Sequence, residues 1–326
     1  MNVSDSELVA SILTHSGYEI TKDIDLSDVI LFNTCSVREH AEDRVLGRIS
    51  NELSRKKHNP NLKIGVLGCM AQRMGKRLID EYSGIDYVVG VDQYAELPQI
   101  LRTDSGHTLD FNVHELYNDF TPIHANNKCG FVTISRGCDN YCTYCIVPHV
   151  RGRERSRPHQ EILKEVRYAV RNGIKDITLL GQNVNSYSDG DICFPNLLDM
   201  VNEIDDLFRI RFVTSHPKDL SLDLIMSMQK NHKVCEHIHL PLQSGSSELL
   251  KRMNRQYSIV DYISKVESLR KTIPNVSITT DLIVGFPGET ESQFKETLKV
   301  VQEVKFDYSF CFKYSPRSGT KAAEYV

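Results

Sequence analysis

Three cysteines, Cys138, Cys142 and Cys145, crowd into the run Ser135-Arg136-Gly137-Cys138-Asp139-Asn140-Tyr141-Cys142-Thr143-Tyr144-Cys145 and constrain this chain more than any other feature. Thiolates at CxxxCxxC spacing cannot all point into one apolar core, whereas a loop can wrap them around a single soft-metal centre. The count matters as well. A structural zinc site takes four protein ligands, while a four-iron cubane held by three cysteines leaves one iron open to another ligand. Three ligands therefore point to a catalytic centre. The residues alone leave two other readings open: a zinc knuckle that borrows a distant His or Cys, and three unrelated core cysteines.

At 326 residues the chain is long enough for about two domains, each with its own core. A net charge of -4 gives no global nucleic-acid signature, so any RNA contact has to come from a local patch. Nine cysteines in tight clusters, with no signal peptide, read as metal ligation in a reducing cytoplasm and not as a disulfide scaffold. No apolar run approaches the length of a membrane span.

The expected fold is α/β: a small doubly wound N-terminal domain followed by a partial (β/α)6 barrel. In residues 1–105 the apolar runs Asp28–Asn33, Lys63–Gly68 and Tyr87–Gly90 read as buried parallel strands. Arg38–Lys57 and Met70–Tyr82 read as the helices between them. Cys35 and Cys69 each follow a strand, so both thiols belong at the carboxyl edge of the sheet, where open parallel sheets build sites. On spacing alone, incidental buried cysteines explain this pair equally well. Residues 106–128 lack periodicity and read as a linker. From 129 to 326, strands near 131–134, 176–180, 210–214, 237–240, 277–284 and 308–312 alternate with helices such as 158–172, 220–229, 258–272 and 290–304. Six βα units curl into an open barrel.

Catalytic groups on such barrels gather at the carboxyl ends of strands. The polar runs there are Gly181-Gln182-Asn183, Ser215-His216-Pro217, Pro241-Leu242-Gln243-Ser244-Gly245 and Gly285-Phe286-Pro287-Gly288. Each alone is also an ordinary turn. Arg151, Arg153, Arg155 and Arg157 form the one dense basic run; alternate arginines on an extended segment can meet phosphates, and a solvated charged face is the other reading. His216 and His239 read as metal ligands or, more commonly for such residues, as satisfied polar groups at strand ends. Cys129, Cys193, Cys235 and Cys311 are expected as small buried hydrophobes.

The triplet, with an aromatic residue before its last cysteine and followed by Ile146-Val147-Pro148-His149-Val150-Arg151-Gly152-Arg153, resembles the radical S-adenosylmethionine (SAM) methylthiotransferases. The resemblance runs over nearly the whole chain. Leu179–Tyr187, Phe212–Pro217 and Leu240–Ser246 look like the MiaB-type branch, which modifies tRNA. The family's pattern implies two 4Fe-4S clusters, one on Cys138, Cys142 and Cys145 that binds SAM and an auxiliary one. Asn33-Thr34-Cys35-Ser36-Val37-Arg38 and Gly68-Cys69-Met70-Ala71-Gln72-Arg73 match the segments that hold the auxiliary cluster. That cluster's first ligand lies in a Gly-Cys-Gln-Met-Asn run of the family, and here it would fall just upstream of Met1. At the other end the family continues past a Ser315-Pro316-Arg317-type motif into a β-rich TRAM domain that binds tRNA.

The resemblance further implies that Tyr144, Gly181, Gln182, Gln243 and Gly285 contact SAM. The implied reaction is methylthiolation of carbon 2 of N6-isopentenyladenosine, beside the anticodon in the tRNA anticodon loop. In it, one electron cleaves SAM to a 5'-deoxyadenosyl radical that acts on carbon 2, and a methylated sulfur at the auxiliary cluster supplies the methylthio group. Expected partners are tRNA and an electron donor such as flavodoxin or ferredoxin, with no membrane, and the chain acting as a monomer in the cytoplasm. Three rival readings stand beside this: a ribosomal-protein methylthiotransferase, a truncated SAM-binding iron-sulfur protein without transferase activity, and a zinc-stabilised RNA-binding protein.

Overall fold

The first strand to meet its neighbour is Val29–Thr34, which lies parallel to Lys63–Gly68 in a register that pairs Thr34 with Gly68. The two cysteines that follow these strands are thereby brought to one edge. The structure is a computed structural model that describes residues 1–36, 39–112, 114–122, 124 and 128–325. It divides into two units, Met1–Ala125 with Ile146–Arg153, and Asn126–Cys145 with Glu154–Val326.

In chain order the first unit contains α1 (Asn2–His15), β1 (Val29–Thr34), α2 (Glu39–Leu53), β2 (Lys63–Gly68), α3 (Cys69–Met74), α4 (Arg77–Glu81), β3 (Tyr87–Val89), α5 (Leu97–Ile100), β4 (Gly106–Thr108) and α6 (Val147–Arg151). Its four strands form a parallel sheet in the order β1-β2-β3-β4. Helices cover both faces, which is why the strands read as continuous apolar runs. Leu67, Tyr87 and Val89 pack with Leu8, Val9, Ile12 and Leu13 of α1. The opposite face packs Val66 and Val88 with Ile49, Met70 and Leu78.

Three local expectations change here. The helix read over Met70–Tyr82 is two helices, because Gly75 takes φ +56 and breaks the backbone between α3 and α4. Of the helix read from Arg38, residues 39–53 are α-helical and Ser54–Lys57 tighten into a 3₁₀ turn, while Arg38 and Val37 lie outside the described residues. Residues 106–128, read as a linker, open with β4. Gly90 N–H donates to Thr108 O at 2.8 Å, and Tyr117 is buried with its hydroxyl donating to Val91 O at 2.8 Å. These apolar positions follow neither helical nor strand period, so no local pattern marked them. Residues 113, 123 and 125–127 of that stretch lie outside the described residues.

The second unit begins with β5 (Cys129–Thr133) and a short antiparallel pair, β6 (Ser135–Arg136) with β7 (Arg155–Ser156). It continues through α7 (His159–Arg171), β8 (Asp176–Leu180), the hairpin β9 (Ser188–Asp189) and β10 (Ile192–Cys193), α8 (Phe194–Asn202), β11 (Arg209–Phe212), α9 (Leu222–Lys230) and β12 (His237–His239). Then follow α10 (Ser247–Arg252), α11 (Ile259–Thr272), β13 (Ser277–Val284), α12 (Glu291–Val304) and β14 (Tyr308–Lys313). β5, β8 and β11 are parallel neighbours, as are β12, β13 and β14. A bridge between Ile210 and Val234 joins the two sets, so six parallel strands run from β5 to β14. No pairing of β5 with β14 closes the barrel among the described residues.

Along each strand alternate residues divide between two faces. Ile177, Leu179, Ile210, Phe212, Ile238, Ile278 and Leu282 lie in one core with Val166, Leu197, Leu224, Tyr262, Leu269 and Val300 of the flanking helices. On the other face His239 is satisfied as expected, with Nδ1 3.0 Å from Thr279 Oγ1 and Nε2 3.3 Å from Asp281. Helix starts follow local chemistry, with capping boxes at Ser258/Asp261 for α11 and at Thr290/Gln293 for α12. The four solitary cysteines are not core residues. Cys129, Cys193 and Cys311 are exposed, Cys235 is half-buried, and Cys193 Sγ caps α8. No helix among the described residues is long and apolar enough to cross a membrane.

Candidate iron-sulfur site

The cysteine triplet leaves the carboxyl end of β5 through the β6 strand. Gly137 at φ +76 and Tyr141 at φ +46 give the loop its left-handed turns, and Cys145 N–H donates to Cys142 O at 2.9 Å. Cys138 and Cys142 are buried and Cys145 half-buried. The loop is tied down from a distant segment, the exit of α10. Thr143 N–H donates to Met253 O at 3.1 Å and Thr143 Oγ1 to Arg252 O at 3.0 Å. Asn254 Nδ2 donates to Asn140 O at 3.0 Å and to Tyr141 O at 3.1 Å. Asn254 itself has φ +57, a conformation that asparagine tolerates better than most residues. Replacing Asn254 by Gly keeps that backbone and removes both hydrogen bonds. The expected cost is about 1–2 kcal/mol of local order, read as reduced iron uptake by the loop cysteines on reconstitution with little change in thermal unfolding.

Next along the chain stands Arg255, 4% exposed. Its guanidinium donates to Cys142 Sγ at 3.3 Å, to Tyr257 Oη at 3.2 Å and to Pro241 O at 3.2 Å. Burial pushes the Cys138 thiol up to about 11, against a hydrogen bond from the Asn140 backbone that favours the thiolate. The thiol is therefore protonated near neutral pH, and binding a metal through it would release a proton.

The donor set fits a cluster. Among the described residues no three His, Cys, Asp or Glu side chains converge as ligands of one ion would. A cubane takes each cysteine on a different iron and so tolerates wider spacing. A buried arginine with a cysteine partner also suits an anionic centre.

Around this loop the carboxyl ends of β5, β8 and β11 carry a row of buried polar atoms without a hydrogen-bond partner: Ser135 Oγ, Gln182 Oε1, Asn183 Oδ1, Ser215 Oγ and His216 Nε2. Such atoms are costly unless a ligand or water completes them. His216 is held as the neutral ring. Its Nδ1 accepts from Lys218 N–H at 3.2 Å, and burial, with Arg255 adding to it, pushes its pKa down to about 2. Nε2 is then a donor without a partner among the described residues, so His216 is not the fully satisfied polar group of the commoner reading. Gly181 sits against Ser135 Oγ, and a Cβ there would collide with it. Gln243 takes φ +67 and ties the strand ends together, donating to Asp281 O at 2.8 Å and accepting from Ile283 N–H at 2.9 Å. Gly285, at φ +74, leaves open space where a side chain would stand. Tyr144 packs into a cluster of Leu249, Met253 and Phe286.

In the first unit, Cys35 and Cys69 follow adjacent strand ends. Gly68 enables this. At φ +92 it turns β2 directly into α3, and a Cβ would press on Thr34 O and lie 2.7 Å from Asn33 Oδ1. Burial raises the Cys69 thiol, the positive charge of Arg151 opposes this, and a neighbouring Cys35 charge adds to it. Arg73 Nε donates to Ser36 Oγ at 2.9 Å, and Arg73 also pairs with Glu42 at 2.8 Å, which anchors the turn after Cys35 to α3. Arg151 Nε donates to Cys69 Sγ at 3.2 Å while Arg151 pairs with the fully buried Asp5 at 2.6 Å.

The arginine run thus divides. Arg151 is buried against Asp5 and Cys69, and Arg157 is buried with its guanidinium 2.6 Å from Glu165 and 2.8 Å from Thr133 O. Neither is available to a phosphate, because the segment is not uniformly extended: α6 ends at Arg151 and β7 turns Arg157 inward. Arg153 is exposed and Arg155 half-exposed.

Profiles of two families match the chain, the Radical SAM superfamily over residues 132–301 and Uncharacterized protein family UPF0004 over residues 1–90. The chain is 48% identical over 333 residues to a tRNA-2-methylthio-N(6)-dimethylallyladenosine synthase of Thermoanaerobacter sp. (strain X514), covering 99% of this chain and 71% of that protein. It is 47% identical over 332 residues to the synthase of the same description from Clostridium tetani, covering 99% and 73%. The fold is shared with the radical SAM methyltransferase TsrM of Kitasatospora setae, solved with cobalamin and a [4Fe-4S] cluster, at TM-score 0.73 and 13% identity over 98% of this chain and 73% of that one. The cobalamin-dependent radical SAM enzyme OxsB matches at TM-score 0.65 and 14% identity over 91% of this chain and 49% of that one.

Proposed function

The chain belongs to the tRNA-2-methylthio-N(6)-dimethylallyladenosine synthase family of radical SAM enzymes, and on that ground we propose how its own residues serve that reaction. It is a radical SAM methylthiotransferase that adds a methylthio group to carbon 2 of N6-isopentenyladenosine beside the anticodon of tRNA, using 4Fe-4S clusters and SAM. The ribosomal-protein reading falls away, since the relatives that match along 99% of the chain bear the tRNA enzyme's description. The observation that carries the assignment to this site is the three-thiol loop at the carboxyl end of β5, with a buried cation on Cys142 and a row of unfilled polar atoms on the neighbouring strand ends.

When bound, the clusters and SAM supply the one-electron cleavage and the sulfur that no side chain can provide. Cys138, Cys142 and Cys145 hold the cluster in the barrel, and Arg252, Met253 and Asn254 fix the loop that carries them. Ser135, Gly181, Gln182 and Asn183 line the position for the polar parts of SAM, with Gln243 and Gly285 shaping the facing strand ends. Tyr144, packed beside Phe286 and Met253, sets the loop's orientation and one wall of the SAM site. Cys35 and Cys69 are ligands of the auxiliary cluster. Arg153 and Arg155 remain as contacts to tRNA phosphates. The electron enters from an external donor such as flavodoxin or ferredoxin, and the enzyme works as a monomer in the cytoplasm.

The test is direct. The chain, reconstituted anaerobically with iron and sulfide, is incubated with SAM, a one-electron reductant and tRNA carrying N6-isopentenyladenosine, and the digested nucleosides are resolved by mass spectrometry. The expected product is the 2-methylthio nucleoside, together with 5'-deoxyadenosine. Iron-loaded protein that forms neither would sink the reading, and tRNA lacking the isopentenyl group separates recognition of the modified base from general RNA binding.

A further inference from the structure

We propose that Arg255 is the counter-charge of the barrel cluster and raises its reduction potential through the hydrogen bond to Cys142 Sγ. This rests on the iron-sulfur reading of the cysteine triplet. Arg255 is almost wholly buried, and its guanidinium donates to a thiol at 3.3 Å, a phenol at 3.2 Å and a backbone carbonyl at 3.2 Å. No carboxylate lies within ion-pair distance of it among the described residues, whereas the buried Arg151 and Arg157 have Asp5 and Glu165. A guanidinium does not give up its proton in a protein, so this charge needs an anion. The one group beside it that becomes anionic is Cys142, on taking iron.

A four-iron cluster with three thiolates is anionic, and it gains one more negative charge on reduction. A fixed cation in a desolvated site therefore stabilises the reduced form more than the oxidised form. The N–H···S contact acts in the same direction by drawing electron density from the ligand sulfur. Tyr257 Oη and Pro241 O hold the guanidinium in place, and Tyr257 is itself anchored by donating to Leu242 O at 2.9 Å. At Cys69 the corresponding arginine is offset by Asp5, so its field on a cluster there is weaker.

The experiment uses the full chain with Cys35→Ala and Cys69→Ala, so that only the barrel cluster loads, and follows its reduction by electron paramagnetic resonance at controlled potential without SAM. Arg255→Met is expected to keep about four irons per chain. At a fixed potential its reduced-to-oxidised ratio should fall tenfold or more, a midpoint about 59 mV more negative for a one-electron couple. Arg255→Lys, which keeps the charge and loses the planar fork, should recover most of that shift. An Arg255→Met chain with full iron and the parent's midpoint overturns the proposal, as does an Arg255→Lys midpoint equal to that of Met. Should Arg255→Met fail to hold iron, Arg255→Gln decides, since it keeps an N–H donor without charge: a negative shift supports the role and an unmoved midpoint ends it. A parent chain with no four-iron signal overturns the cluster reading itself and this role with it.

Discussion

Replacing Cys138, Cys142 and Cys145 together by alanine is expected to abolish SAM cleavage, with 5'-deoxyadenosine and the methylthio nucleoside both falling to background. On the proposed assignment the triplet would hold the cluster that binds SAM, and no side chain can substitute for one-electron chemistry. Iron content is the sharper readout. A parent with two clusters carries about eight irons and the variant about four; a parent with only the barrel cluster carries about four and the variant none. The fold should survive, because the loop cysteines lie outside the main core of the barrel. An iron content unchanged by the triple substitution would remove the triplet from the reaction.

The second large effect is expected at Asp5 and Arg151. Breaking a fully buried pair by changing one partner leaves an uncompensated charge and costs about 3–5 kcal/mol. Asp5→Asn or Arg151→Met alone should therefore lower the unfolding temperature of the first unit by about 10 °C. Changing both at once, to Asp5→Leu with Arg151→Met, removes the charges together, and burying apolar groups in their place is often neutral or stabilising. The double variant is expected to regain most of the lost stability. If Cys69 holds the auxiliary cluster as proposed, the double variant should not regain iron there, since Cys69 would still lack the donor at 3.2 Å. Scanning calorimetry beside iron analysis separates the two roles, and a double variant as unstable as either single one would show that the pair is not the coupled unit described.

Much of this fold was legible in the sequence because parallel strands covered by helices on both faces announce themselves as short apolar runs. Ile177-Thr178-Leu179-Leu180 and Ile64-Gly65-Val66-Leu67 are such runs, and both are strands. The cysteine loop was legible for a different reason, that its composition has few other uses. What was hidden depends on partners far away in the chain. Asn254 meets the loop across more than a hundred residues, and Arg255 looks like one more basic residue in Lys251-Arg252-Met253-Asn254-Arg255. Arg151 and Arg157 misled because charge density reads as surface. Their burial was decided by Asp5 and Glu165, 146 and 8 residues away. The orphan atoms at Ser135, Asn183, Ser215 and His216 fall in runs that resemble ordinary turns, and only burial without a partner distinguishes them.

The membership of residues 146–153 in the first unit bears on how the protein is made. A domain whose residues are contiguous can close while the ribosome is still translating the next. This one cannot. Until residue 151 has emerged, Asp5 lacks the guanidinium at 2.6 Å and Cys69 the donor at 3.2 Å, so the contacts that join α1 and α3 to α6 cannot form. By then the three barrel cysteines have already left the exit tunnel. Synthesis thus presents Cys35, Cys69 and the three loop cysteines together on a chain whose first unit still waits for residues 146–153.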